Sequence, residues 1–583
     1  MDAMQGLGLT AEEAELWELL SHDLLPETVN INPQDNVNTL DWDLSQFALD
    51  TFPSTSVIAK FEPQLSLDTL PQDASLQPGT MTPNSSHHQQ QRPSNLQNSS
   101  TQSQETTVVE QAVSAANDLM HSLLTSPTLL INMMVLGTLS MNQSEARHHG
   151  DAMWRLVHKG VIGTWDRLIE IRGPYDDCQG VPLILTALLG QMYGLNSNNP
   201  EMIRNSLVAN YLNFRWAKVS GIYDHASVPN KVDVRNLEGK ALDQAWKLWS
   251  AKETQRRGIL GCYVLDATSS VTFKTTPAVR HTYNPFPALA DEDTFVAVTA
   301  EDWKRAYLLS CCPQQADLTF SQMYRLLFNP DSSREQLQIF SRLSSLSREV
   351  ILEGVGSLIT EWYESDFGTA FGGPDLRDVA IALARIHDHL LSSPDHVRVP
   401  NLCIRWHSMC MRLAKCSQPR DFATSQQSQR DWFATPIGRR AVLHAIAIRL
   451  EVDALTISYV RYPHFTLAEC LYQAALLLIA YIKTQDSPAA EGVTDEAVPC
   501  NVDTPVNWTE LGTCSLVSNS TDELWSVTPT QAAYYLQWGG QPTFHAVPIN
   551  LHDLLSLVNA LTSAGQTWRR SALLAREIEM HMM

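Results

Sequence analysis

From residue 108 onward, apolar positions recur every three to four residues over long stretches, the spacing that lines one face of an α-helix. Helices are predicted over Gln111 to Met141, Leu237 to Asp266, Ala300 to Ser310, Ser333 to Glu364, Asp375 to Leu391, Asn401 to Cys416, Ile437 to Tyr459 and Thr466 to Thr484. Two more, Leu551 to Ser563 and Gln566 to His581, follow a loop-rich stretch from Gln485 to Ser526. The run Val181 to Tyr193 is apolar nearly all round, which places it in the middle of a bundle. Strand-like alternation is scarce, and no repeat of fixed period is visible. The expected fold class is all-α, with one large helical domain or two tightly fused ones.

The first 107 residues have a different texture. They hold fifteen acidic and two basic residues, a net of −13 out of the chain's −22. The acids alternate with bulky apolar groups in two bursts, Glu12 to Leu25 and Leu40 to Phe52. Such a segment buries too little surface to offset chain ordering, which costs roughly 1–2 kcal/mol per residue. It is expected to be disordered alone and to fold as short amphipathic helices on a partner's groove. Acidic-hydrophobic alternation is the signature of an activation segment, with Trp17, Leu20, Trp42 and Phe47 as the expected contacts. The sequence therefore divides into an activation-like segment at 1–81 and a polar linker at 82–107. A helical regulatory domain is expected at 108–485, followed by a loop-rich then helical extension at 486–583.

Charge and cysteine usage exclude several classes of function. A net charge of −22 argues against a chain that grips phosphate backbone over most of its surface. Ten cysteines in 583 residues are too few for a secreted disulfide scaffold. None precedes Cys178 and no Cys-x2-Cys pair occurs, so the closely spaced soft ligands of a zinc finger are missing. Cys403, His407 and Cys410 share one predicted helix and read as core residues, since one helix cannot wrap a tetrahedral ion. No signal-peptide pattern opens the chain, and Leu471 to Ile482 falls short of the ~20 residues of a membrane helix. There is no nucleophile elbow, P-loop or dinucleotide fingerprint. His387-Asp388-His389 reads as an ordinary helix position. No catalytic, metal or cofactor residues are expected, and the chain is not expected to be an enzyme.

The most informative stretch is Trp246 to Asp266. Glu253 stands three and four residues before Arg256 and Arg257, the favourable order for helical ion pairs. These charges sit between Trp249 and the apolar run Ile259 to Leu265, where an arginine would stack and pair in a partly buried network. The pattern W-x2-W-x3-E-x2-R-R-x4-C-Y-V-L-D resembles the signature helix pair of the fungal-specific transcription factor domain. His158 to Tyr193, Arg405 to Cys410 and Arg440 to Ile448 resemble the branch of that family usually attached to C2H2-type fingers. The resemblance spans roughly residues 108 to 485.

It implies a nuclear regulator with a helical regulatory region, controlling metabolic or secondary-metabolite genes. Glu253, Arg256, Arg257 and Asp266 would then form a structural polar core. Expected partners are the transcription machinery or a coactivator, reached through the N-terminal segment. A DNA-binding partner protein and homodimerisation fit the same reading, and no membrane is involved. Members of the family carry zinc-based DNA-binding modules, and this sequence contains none. Zinc would enter only with a finger module outside this chain, and direct DNA binding cannot be assigned to any residue here. Two rival readings stand beside this one: a DNA-free co-regulator that binds a zinc-finger transcription factor, and an effector-binding helical domain.

Overall fold

A computed structural model describes residues 126–583, apart from 142–143, 173–179, 225–229, 311–317, 365–374, 393–398, 420–421, 456–463, 486–498, 503–504 and 522–529. Trp17, Leu20, Trp42 and Phe47 lie outside the described residues. The first helices are α1 (Pro127–Gly137), α2 (Ser144–Gly163), α3 (Trp165–Arg172), α4 (Val181–Leu195) and α5 (Pro200–Val219). Pro127, Pro182 and Pro200 each sit in a first turn, where a missing N–H breaks no bond and a fixed φ suits the helix. Asn199 caps α5 by accepting from the Glu201 and Met202 amides. The all-round apolar run becomes α4, which packs against α1, α5 and the 35-residue α6 (Gly239–Phe273).

Next come α7 (Ala300–Ser310), α8 (Phe320–Phe328), α9 (Ser345–Glu364), α10 (Leu376–Ile386) and α11 (Pro400–Lys415). The single helix expected over Ser333 to Glu364 is divided. Ser333 caps one short turn with a reciprocal Gln336 box, and 3-10 geometry follows over Gln338–Arg342. Leu343 then turns extended, and the Ser344 hydroxyl accepts the Ser347 amide to start α9. Two serine caps outcompete one continuous helix, as local side-chain bonds to the backbone often do.

The remaining elements are α12 (Gln426–Phe433), α13 (Pro436–Asp453), α14 (Leu467–Gln485), α15 (Gln531–Trp538), α16 (Leu555–Ala564) and α17 (Arg569–Met582). A small sheet, which the sequence pattern does not announce, joins β1 (Pro499–Asn501), β2 (Gln541–Phe544) and β3 (Val547–Pro548). β1 pairs parallel to β2, and β2 pairs antiparallel to β3 through a two-residue turn. Both turn residues, His545 and Ala546, take positive φ, as the hairpin's right-handed twist requires.

Two large apolar cores hold these helices. One joins α6, α8, α9, α10 and α11 around Leu260, Phe320, Ile351 and Trp406. The other joins α11, α13, α14, α16 and α17 around Ala441, Leu478, Leu557 and Ile578, so helices beyond residue 485 share it. At 19 residues and mean hydropathy 1.3, α14 is long and apolar enough to cross a membrane, but most of it is buried against α13, α16 and α17.

Candidate functional site

The first half of α6 carries the charged part of the signature. Trp249 enters a buried cluster with Trp303 and Tyr307 of α7, ring centroids 5.5 and 6.1 Å away. Glu253 is buried, and its Oε1 accepts the Ala290 amide at 3.0 Å and lies 3.4 Å from Arg257 Nε. Arg257 also donates to the Ala290 carbonyl at 2.7 Å. Its guanidinium lies 4.0 Å above the Phe295 ring, a cation–π contact. Glu253 and Arg257 thus hold both polar groups of Ala290 and clip the Ala290–Phe295 segment onto α6. Burial raises the Glu253 carboxyl above its usual range, outweighing Arg257 and Arg256. Arg256 is also buried, and burial lowers its pKa against the pull of Glu253.

Asp266 lies thirteen residues along the same helix, roughly 20 Å at 1.5 Å per residue. It is 1% exposed. Its Oδ1 accepts Asn210 Nδ2 at 2.6 Å and the Ala278 amide at 2.9 Å. Its Oδ2 accepts the Val279 amide at 3.4 Å and faces His281 Nε2 at 3.0 Å. Asp266 therefore organises the chain that leaves α6 after Lys274, whose φ of 52° ends the helix. The structure brings Glu253, Arg256 and Arg257 together and places Asp266 at the head of a separate network.

Two further polar clusters fall on stretches the sequence marks only as similar in pattern. On α11, Arg405 donates from Nε to Glu353 of α9 at 2.8 Å, and its fork also reaches Glu349. These carboxylates outweigh burial and raise the Arg405 pKa. On α13, Arg440 donates to the carbonyls of Leu511, Gly512 and Cys514, fastening the loop after the short turn Trp508–Leu511. It also donates to His444 Nε2 at 3.4 Å, which leaves the His444 hydrogen on Nδ1, directed at His407 Nδ1 at 2.9 Å. His444 stacks on Trp508 with centroids 4.1 Å apart. Burial, then His407 and Arg440, hold its pKa well below 6.5. Arg405 and Arg440 were legible only as helix residues, because their carboxylate and carbonyl partners lie 52 or more positions away, and His444 meets His407 37 positions back.

A family model for the fungal specific transcription factor domain matches residues 105–433. That is more than half of the chain. The protein belongs to this family. No curated protein and no solved structure matches it. Within the family domain the signature Glu-Arg-Arg sits on a clip between α6 and the 290–295 segment, and Glu292 of that segment lines a cavity of about 210 Å³ with Glu349, Asn401 and His464. The match ends at the last residue of α12, whereas the second apolar core continues through α17.

Arrangements that resemble catalytic or metal sites do not have the required geometry. Ser392 Oγ lies 3.2 Å from His387 Nε2 and 3.3 Å from Nδ1, equidistant from both nitrogens and in line with neither lone pair. A nucleophile and its base need one directed bond. Thr509 takes the adjacent Asp388 carboxylate at 2.7 Å, tying the 507–512 turn to the end of α10. Among the described residues no group of three His, Cys, Asp or Glu side chains is placed to hold a metal ion. Cys403 and Cys410 are buried thiols.

Proposed function

We propose that the chain is a transcriptional regulator of metabolic or secondary-metabolite genes, acting in the nucleus. Membership of the fungal-specific transcription factor domain family is the observation that carries this reading. The acidic-hydrophobic segment at 1–81 supplies the activating contacts, and the helical body holds and regulates it. In this reading Trp17, Leu20, Trp42 and Phe47 dock on a coactivator groove, where their apolar area drives binding and the flanking acids keep the free segment soluble. Glu253, Arg256, Arg257 and Asp266 keep the regulatory body in one packing and do no chemistry.

The test is a reporter assay with the full chain, and with residues 1–81 alone, fused to a heterologous DNA-binding domain. Both fusions are expected to activate, and changing the four apolar residues to Ala is expected to lower the output at least tenfold. Activation that is absent, or indifferent to the four changes, overturns the assignment of the segment.

A second reading, a co-regulator recruited by a finger-bearing transcription factor, is favoured by the absence of any Cys-x2-Cys pair in the 583 residues. Co-precipitation followed by a mobility-shift assay separates the two. Under this reading the chain moves target DNA only when the DNA-binding partner is present.

A further inference from the structure

Between α1, α2, α4 and α5 lies a cavity of about 20 Å³ lined by Asn132, Asn213 and Trp216, with Trp154 and His158 on its wall. One water needs roughly 10–15 Å³ by this measure. The three polar residues are each no more than 2% exposed. Asn132 Oδ1, Asn213 Oδ1 and Trp216 Nε1 find no hydrogen-bond partner in the protein. Orphaned buried groups of this kind cost about 1–3 kcal/mol each, and three around one cavity call for a ligand.

The orientation of each group is fixed from outside the cavity. Both oxygens of Asp266 accept backbone N–H groups, so the carboxylate can only accept from Asn210 as well. Asn210 must then turn its amide nitrogen to Asp266 and its oxygen to Gln191 Nε2, at 2.8 Å. Gln191 in turn offers its oxygen to Asn213 Nδ2 at 2.6 Å. Asn213 is left with only an acceptor for the cavity. Asn132 is fixed in the same way, because its Nδ2 donates to the Thr186 carbonyl at 2.8 Å. Trp216 can only donate.

We propose that this cavity is the binding site of one internal water molecule. The water accepts from Trp216 Nε1–H and donates to Asn132 Oδ1 and Asn213 Oδ1, the three bonds typical of a buried water. Other small ligands fail on valence: an ammonium ion cannot accept from the indole, and a halide cannot donate to the two amide oxygens. Once bound, the water closes a continuous hydrogen-bonded chain, Asn132–water–Asn213–Gln191–Asn210–Asp266–His281, that crosses from α1 through α5, α4 and α6. It is a keystone between the α1–α2 layer and the segment that Asp266 organises.

The experiment uses the full chain labelled with ¹⁵N at tryptophan indoles, with the Trp216 signal assigned by its loss in Trp216→Phe. A cross-peak from the Trp216 indole hydrogen to a long-lived water is expected. It should vanish in Asn213→Leu, which fills the cavity, while the indole signal itself persists. A Trp216 signal with no water cross-peak, or a cross-peak that survives Asn213→Leu, overturns the proposal. Should Asn213→Leu fail to fold, a crystal structure of the unaltered chain that resolves ordered waters decides. Density within about 3.2 Å of all three atoms is expected, and an empty cavity overturns it.

Discussion

The two halves of α6 bury a carboxylate each and satisfy it by opposite means. Glu253 is met by an arginine one turn on and by a single backbone amide. Asp266 is met by two backbone amides, an asparagine and a histidine, all from elsewhere in the chain. Where cations supply the partner, burial still wins and the Glu253 pKa is raised. At Asp266 several donors converge on one buried side chain, and each would be left unsatisfied without it. The difference teaches that the charged signature is a clip of moderate strength, whereas its final aspartate is the junction on which three segments depend.

The comparison breaks first at Asp266. Asp266→Ala leaves Asn210 Nδ2, the Ala278 and Val279 amides and His281 without their acceptor. Each unsatisfied buried group costs about 1–3 kcal/mol, so a loss of about 3–5 kcal/mol is expected after relaxation. Urea unfolding at neutral pH measures it. A loss under 1 kcal/mol would mean that the 278–281 segment is held by something other than Asp266.

The contrast also explains what the sequence could disclose. The Glu253–Arg257 contact is four residues apart on one helix, so its existence follows from the spacing. Its stacking partner does not: Tyr263 and Trp249 are the aromatic groups nearest in sequence, but they turn to Phe214 and Trp303, and Phe295 takes the guanidinium. The partners of Asp266 come from α5 and from the loop after α6, and no local pattern announces them. The same holds for the helices. Ala300–Ser310 coincides with its expected bounds, whereas Ser333 to Glu364 was divided by two serine caps. Helices α2, α3, α5, α8, α12 and α15 went unmarked, and in α5 the buried positions mix small and amide groups, as at Ser206, Asn210 and Asn213. Periodicity reports apolar stripes, and this protein builds part of its interior from amides.

Arg257 gives the intermediate effect. Arg257→Lys keeps the charge but loses the planar stack on Phe295 and the second arm to the Ala290 carbonyl. A loss of about 1–2 kcal/mol is expected, with α6 intact by circular dichroism and the 290–295 segment exchanging amide hydrogens faster. A lysine variant as stable as the unaltered chain would show that the ion pair, and not the stack and fork, fixes the clip.

The smallest effect is carried by pH at Glu253. Its folded pKa lies above the ordinary carboxyl value of 4.5, so the fold holds a proton that the unfolded chain has already released. The contribution of this group is therefore greatest below 4.5 and falls as pH rises from there to the raised folded value, after which it is constant. Glu253→Gln keeps the acceptor for the Ala290 amide and cannot titrate. The stability of the unaltered chain relative to Glu253→Gln is expected to decline with rising pH across that window, no faster than about 1.4 kcal/mol per pH unit. If the Glu253→Gln difference instead grows in favour of the unaltered chain as pH rises, Arg257 and Arg256 dominate burial at Glu253, and the clip holds its carboxylate by net attraction.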